Sequence, residues 1–323
     1  MRRRTLIIAS GIANAAVLLP LTTRAQHAGI PTIGGLAVAS PDTQRFWRDL
    51  RAELGKLGYE DGKTVRYDIR SDEGDLARLD ALARGLVRSK VAVIVAWFTP
   101  AVLAAKRATH NIPIVMGAAG DPVAIGLIDS LAHPGGNVTG IGGLVPDLAG
   151  KCVDLSRDLV PKAKRIAALV NVPDPFSRPF LDKIRAEAAT IGLVVEPVRI
   201  KQAGELEAAF SALAKDPPAT VIVQPSLPAR RVAELAIRHR IAAVGLARAL
   251  VDAGGLMSYS SDDSDLPQQV ADFIDRILKG ARPADLPVEQ PTHFELAINL
   301  KTAQAIGLSI PSPLFQRADT VIE

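Results

Sequence analysis

The sequence predicts an α/β fold of two doubly wound parallel-sheet lobes joined by a multi-segment hinge, and three observations carry that expectation. Short β-branched runs alternate with helical stripes along the chain. The alternation stops at a Gly/Pro-rich region, GAAGDP (117–122) and HPGGNVTGIGG (133–143), and then restarts. The tail beyond Gly255 holds too few elements for a third domain, so it is expected to return and complete both lobes.

The elements follow in order. TIGGLAV (32–38) reads as the first strand. A helix over 42–57 has Phe46, Leu50, Leu54 and Leu57 on one face. A strand over 64–70 precedes a helix striped by Leu76, Leu79, Ala83 and Leu86. The all-apolar run 91–96 has the pattern of a strand buried on both faces. A helix from Pro100 to about Ala108 and a strand over 112–116 complete the first set. In the second set, strands at 165–171, 193–198, 220–223 and 241–244 alternate with helices. The helices are striped by Leu181, Ile184, Ala188 and Ile191, then run over 205–213 and 232–238. The tail adds a strand (256–259), a helix (266–279) and a strand-helix pair (294–306). The expected lobes are therefore 29–145 plus about 256–282, and 146–255 plus about 283–323.

The chain opens MRRRTLIIASGIANAAVLLPLTTRAQ. Three arginines precede an apolar stretch, and Thr23 and Ala25 occupy the small-residue positions of a cleavage site. A secretory signal over residues 1–25 is the expectation, with export to the periplasm. A membrane anchor fits less well, because Asn14, Pro20 and a short apolar core make a poor span. The paired arginines also admit twin-arginine export. No cysteine stands at the cleavage point, so a lipid anchor is not expected.

Cys152 is the only cysteine, which excludes an intrachain disulfide. The net charge is +4, but three positive charges open the leader, a fourth (Arg24) lies near its end, and no basic block remains for nucleic acid. Catalytic motifs are missing. GYEDGKT (58–64) lacks the first glycine of a phosphate loop and runs from helix to strand. There is no Gly-x-Ser-x-Gly elbow. The five histidines have no metal-ligand spacing, and Asp262, Asp263 and Asp265 read as a solvated helix start. No metal or cofactor is expected, and neither is catalysis.

What converges is a set of strand ends, where parallel α/β sheets bind ligands. They are Ala39-Ser40, Trp97-Phe98-Thr99 and 117–121 in the first lobe, and 171–175 and 224–228 in the second. Ser40-Pro41 and Thr99-Pro100 both read as a hydroxyl N-cap followed by proline at N1. Either alone is an ordinary cap. Two at neighbouring strand ends point to a ligand carboxylate at helix N-termini. Asp121 is the candidate partner for an ammonium, or simply a turn residue before Pro122.

HPGGNVTG (133–140), AGGLMSY (253–259), RILKGARPADLPVEQPTHFELAINLKTAQAIGLSIP (276–311) and RADTVIE (317–323) resemble the bacterial ABC-transporter substrate-binding proteins of the TrpX-like group. The resemblance spans nearly all of the chain after the leader. It implies a type I periplasmic binding-protein fold, a ligand held between the lobes, delivery to an ABC permease in the inner membrane, and no chemical reaction. It also implies an amino-acid or related ligand, with aromatic ones included among those of the group. Three stretches depart from the family's pattern: Trp97-Phe98 before Thr99-Pro100, NVPDPFSRP (171–179), and VGLARALVD (244–252). Ser40 and Thr99 are expected to anchor an anionic group and Asp121 a cationic one. Trp97, Phe98, Phe176 and Tyr259 are expected to cover an apolar or planar part. Strand alternation should send Trp97 and Phe98 to opposite sides, leaving one at the ligand. A monomer is expected. The rival readings are a sensing module for a membrane sensor and a two-lobed periplasmic enzyme. A DNA-binding regulator of the same fold is disfavoured by the leader.

Overall fold

The computed structural model describes residues 29–38, 41–144, 146–262 and 264–323. The leader over 1–25 and Ser40 lie outside the described residues.

The first part of the chain runs β1 (Thr32–Ala37), α1 (Pro41–Lys56), β2 (Arg66–Ser71), α2 (Leu79–Arg88), β3 (Val93–Trp97), α3 (Phe98–Ala108), β4 (Ile114–Gly120) and β5 (Val138–Leu144). Its five strands form one parallel sheet in the order β2-β1-β3-β4-β5. β3 lies at the centre and all five of its residues are buried, as its unbroken apolar run requires. The stripe of α1 packs inward through Phe46, Leu50 and Leu54, with Trp47 joining it. Leu57, expected on that face, falls past the helix end and is 43% exposed.

The second set comprises α4 (Pro146–Leu159), β6 (Arg165–Asn171), α5 (Ser177–Thr190), β7 (Val194–Ile200), α6 (Leu206–Leu213), β8 (Val221–Val223), α7 (Ala229–Arg238), β9 (Ala243–Gly245), α8 (Arg248–Asp252) and β10 (Met257–Ser261). The tail adds α9 (Leu266–Leu278), β11 (Phe294–Asn299), α10 (Leu300–Ile306), α11 (Ser312–Phe315) and β12 (Thr320–Ile322). Seven strands pair in the order β12-β11-β10-β9-β8-β6-β7. Every pair is parallel except β10 with β11, so this sheet departs from the fully parallel expectation.

Sheet pairing also moves the expected lobe boundaries. β10, expected in the first lobe, hydrogen-bonds to β9 and β11 in the seven-stranded sheet. The following helix α9 packs on α1, β4 and β5 in the first. The chain then stays with the first lobe past 283. Thr139 Oγ1 donates to the Leu286 carbonyl at 2.7 Å, and Gly142 N donates to the Glu289 carbonyl at 2.9 Å. Crossings therefore fall between 144 and 146, between 261 and 266, and between 289 and 294. The tail strand MSYSS pairs between β9 and β11, and the striped helix after it covers the other sheet.

One apolar cluster runs without a break from the first lobe onto the α4–α5 face of the second sheet. A separate cluster fills the α6–α7 face. The lobes thus meet through packed side chains as well as through chain crossings.

Candidate functional site

β3 ends on Trp97, and the ladder with β4 shifts register between Ala96 and Trp97, so that Trp97 pairs with Ala118. Its ring is 5% exposed and lies over Gly117. A Cβ at Gly117 would stand 2.6 Å from Trp97 Cε3, so no side chain fits there. Phe46 from α1 packs on the same ring at 4.4 Å between centroids. The next residue, Phe98, has φ +66°. That left-handed conformation is unfavourable for a bulky L-residue, costing about 1–2 kcal/mol. It turns the Phe98 ring back to meet Trp97 edge-on, with centroids 5.7 Å apart.

Trp97 and Phe98 consequently line the same cavity, of about 330 Å³, between the two lobes. Strand alternation predicts opposite sides; the register shift and the positive φ override it. The expected N-cap at Thr99 is also corrected. The helix begins at Phe98 with Trp97 in the cap position, which places Thr99 inside the first turn. Thr99 Oγ1 accepts from Gly120 N at 2.9 Å and so fastens the end of β4 to α3. Pro100, expected at N1, is two residues further in, still among the N–H groups that have no intrahelical partner.

The remaining sequence-predicted residues do not join the rings. Asp121 is half-buried, accepts from Ala124 N at 3.1 Å, and lines neither interlobe cavity. Phe176 is 1% exposed and crosses from the second lobe onto Gly120, where a Cβ would stand 2.3 Å from its ring. Tyr259 stacks on Phe294 at 6.1 Å in the seven-stranded sheet.

Two groups lie outside the residues expected to bind, although the second sits at strand ends, 171–175 and 224–228, that the sequence already marks. The first forms the polar wall of the ring-floored cavity. Arg248 opens α8, donating through Nε to Asp252 Oδ1 at 2.8 Å and through Nη1 to Glu295 Oε1 at 2.9 Å. Arg45, Asp49 and Asp262 complete that wall. Their sequence signal was weak: Arg248 and Asp252 lie in the departing stretch 244–252, just past a strand end. The second group is a buried network at the ends of β6 and β8. Asp174 accepts from Ser226 Oγ at 2.5 Å, from Gln224 Nε2 at 2.8 Å and from Phe176 N at 3.0 Å. Burial pushes its carboxyl above the ordinary range, and these three donors offset part of that rise. Asn171 and Ser226 also face a second interlobe cavity of about 560 Å³, whose lining includes Asp75, Arg107 and Lys201 but no aromatic ring.

Among the described residues no three His, Cys, Asp or Glu side chains are placed to hold a metal ion. Burial pushes the Cys152 thiol up to about 12, which makes it a poor nucleophile. The cavity can therefore hold, orient and desolvate a molecule by ring contact and charge.

The sequence pattern of the family described as ABC transporter substrate binding protein matches residues 38–322. The chain belongs to that family. Its members bind small molecules and work with an ABC permease. Among curated proteins, the tyrosine-binding protein of Clostridioides difficile is 29% identical over 276 residues, covering 84% of this chain and 79% of the relative. Among solved structures, the ABC domain from Streptococcus pneumoniae in complex with L-Trp is 29% identical with a TM-score of 0.83, covering 91% of this chain and all of the other. The ligand-free, open structure of a substrate binding protein with adhesive properties from Clostridium difficile is 25% identical with a TM-score of 0.63, covering 91% of this chain and 99% of the other. The two-lobed fold is that of type I periplasmic binding proteins, as the resemblance in the sequence implied. Among the described residues no helix is long and apolar enough to cross a membrane.

Proposed function

We propose that this chain is the periplasmic receptor of an ABC importer and captures a small aromatic, carboxylate-bearing ligand, an amino acid or close relative. The observation that carries the proposal is the floor of the 330 Å³ cavity, where Phe46, Trp97 and Phe98 present one continuous aromatic surface between the lobes. The names of two relatives, a tyrosine-binding protein and a complex with L-Trp, agree with a ring-shaped ligand. The leader over residues 1–25 supports export, and the chain acts as a monomer that hands its ligand to a permease without catalysis.

Of the seven residues expected to bind, Trp97 and Phe98 are kept as ligand contacts. Thr99 and Phe176 act as positioning residues, through Gly120. Ser40 keeps its expected role on sequence grounds. Trp97 Nε1 is buried and finds no hydrogen-bond partner among the described residues, an uncommon state for a buried donor.

The energetic scale is adequate. A micromolar dissociation constant corresponds to about −8 kcal/mol. Burying an aromatic side chain of about 150–250 Å² at about 25 cal/mol per Å² contributes roughly 4–6 kcal/mol. Charge-assisted hydrogen bonds add about 1.5–3 kcal/mol each before association costs. The test is a thermal-shift and calorimetry screen of the purified protein. L-Tryptophan or L-tyrosine should raise the melting temperature with increasing concentration. A screen in which only neutral sugars or aliphatic solutes raise it would refute the aromatic reading.

A further inference from the structure

The charge around the ring-floored cavity is unevenly distributed. At one corner Asp49 is compensated, accepting from Arg48 Nε at 2.9 Å with Arg45 at 3.6 Å. At the other corner a single guanidinium, that of Arg248, serves two carboxylates, Asp252 and Glu295. A third carboxylate, Asp262, lines the same cavity and makes no ion pair among the described residues. Asp262 Oδ1 accepts from Ser264 N at 3.0 Å, a bond that holds its carboxyl below the ordinary range and keeps it ionised. His293 is the other titratable group that acts on it. Three carboxylates against one guanidinium leave this corner in negative excess.

Two of the three carboxylates are held near one another by the sheet, and Asp252 on α8 is joined to them through Arg248. Glu295 on β11 stands opposite Ser260 on β10, and the backbone of Asp262 continues that ladder by donating to the His293 carbonyl at 3.0 Å. Below them lie the rings of Phe46, Trp97 and Phe98, and an aromatic ring has nothing in it that pairs with an anion across its face, whereas a cation is attracted there. The negative excess of the corner favours the same sign.

We propose that the ammonium group is the pole this site chiefly selects, seated between the Asp252–Asp262–Glu295 corner and the aromatic floor, and that the ligand carboxylate is the lesser determinant. The class of ligand is an aromatic primary amine, with or without an α-carboxylate. The inference rests on the reading that this cavity holds the ligand. It also moves the cationic subsite from Asp121, at the end of β4, to the α8–β11 side of the cleft.

Calorimetric titration with three molecules that share one ring tests it: L-tryptophan, tryptamine and indole-3-propionate, at neutral pH and constant ionic strength. Removing the amine should weaken binding by about tenfold or more, and by a larger factor than removing the carboxylate. Asp262→Asn should weaken the two amines and spare the acid. Equal or tighter binding of the acid, or equal losses from Asp262→Asn for all three, would overturn the ammonium assignment and leave the receptor reading intact. Binding of none of the three, with the tyrosine series equally silent, would overturn the aromatic-receptor reading itself and this inference with it.

Discussion

The two lobes present corresponding strand ends to the cleft and furnish them in opposite ways. The first lobe offers rings and glycines: Trp97 over Gly117, Phe98 at φ +66°, and Gly120 beneath Phe176. The second offers Asn171, Asp174, Gln224 and Ser226, all buried and bonded to one another. The first edge is a contact surface whose shape depends on side chains that are absent. The second has spent its hydrogen-bonding capacity internally, and its product is a fixed Phe176, whose own N–H is held by Asp174. Equivalent topology thus yields an aromatic cavity wall on one lobe and a hydrogen-bonded support on the other. The charged groups that line the ring-floored cavity come from neither edge but from α1, α8, β11 and the crossing after β10.

If the second edge is a support, emptying it should cost stability before it costs binding. Asp174→Ala leaves Ser226 Oγ, Gln224 Nε2 and Phe176 N without their shared acceptor in a buried site. Unsatisfied buried groups cost about 1–3 kcal/mol each, so a loss of about 3 kcal/mol or more is expected in urea unfolding. A loss below about 1 kcal/mol would mean that water or ligand normally serves these donors, and the contrast between the edges would fail.

The contact across the lobes comes next in size. A methyl at Gly120 collides with the Phe176 ring. Overpacking of this kind costs about 1–3 kcal/mol. Gly120→Ala should therefore lower the unfolding midpoint, and adding Phe176→Ala should recover part of the loss, because the two residues couple directly. Strict additivity of the two changes would show that Phe176 does not bear on Gly120 in solution.

These glycines also mark what could be read from sequence and what could not. The alternating elements, the buried central strand and the two-lobe division follow from periodicity that each segment carries by itself. GAAGDP reads as a turn because glycine normally punctuates, yet Gly117–Gly120 continue β4. Their lack of side chains is explained only by rings that arrive from β3 and from the second lobe. The sheet that β10 joins is hidden for a similar reason: a five-residue strand carries no mark of its partners, and only pairing with β9 and β11 shows it. At the site, Trp97 and Phe98 were legible as large residues at a strand end, where few other aromatics compete for attention. Their common orientation was not, since alternation is the default and nothing local announces a positive φ at phenylalanine. Arg248 and Glu295 lie 47 residues apart and meet only in the fold.

The smallest effect is also the most direct measure of how the first edge is built. Phe98→Ala and Phe98→Gly remove the same ring, so both lose the same burial and the same contact with Trp97. They differ in the backbone. In an ordinary first turn of a helix, alanine is favoured over glycine by about 1 kcal/mol. At φ +66° the order should invert, because alanine retains the left-handed penalty of about 1–2 kcal/mol and glycine does not. Phe98→Gly is therefore expected to be more stable than Phe98→Ala by up to about 1 kcal/mol in paired unfolding curves, while both weaken an aromatic ligand to a similar degree. If alanine proves equal or better, the backbone at 98 relaxes once the ring is gone. The positive φ would then be a consequence of the Phe98 ring seeking Trp97, and the aromatic floor would be held by ring packing alone.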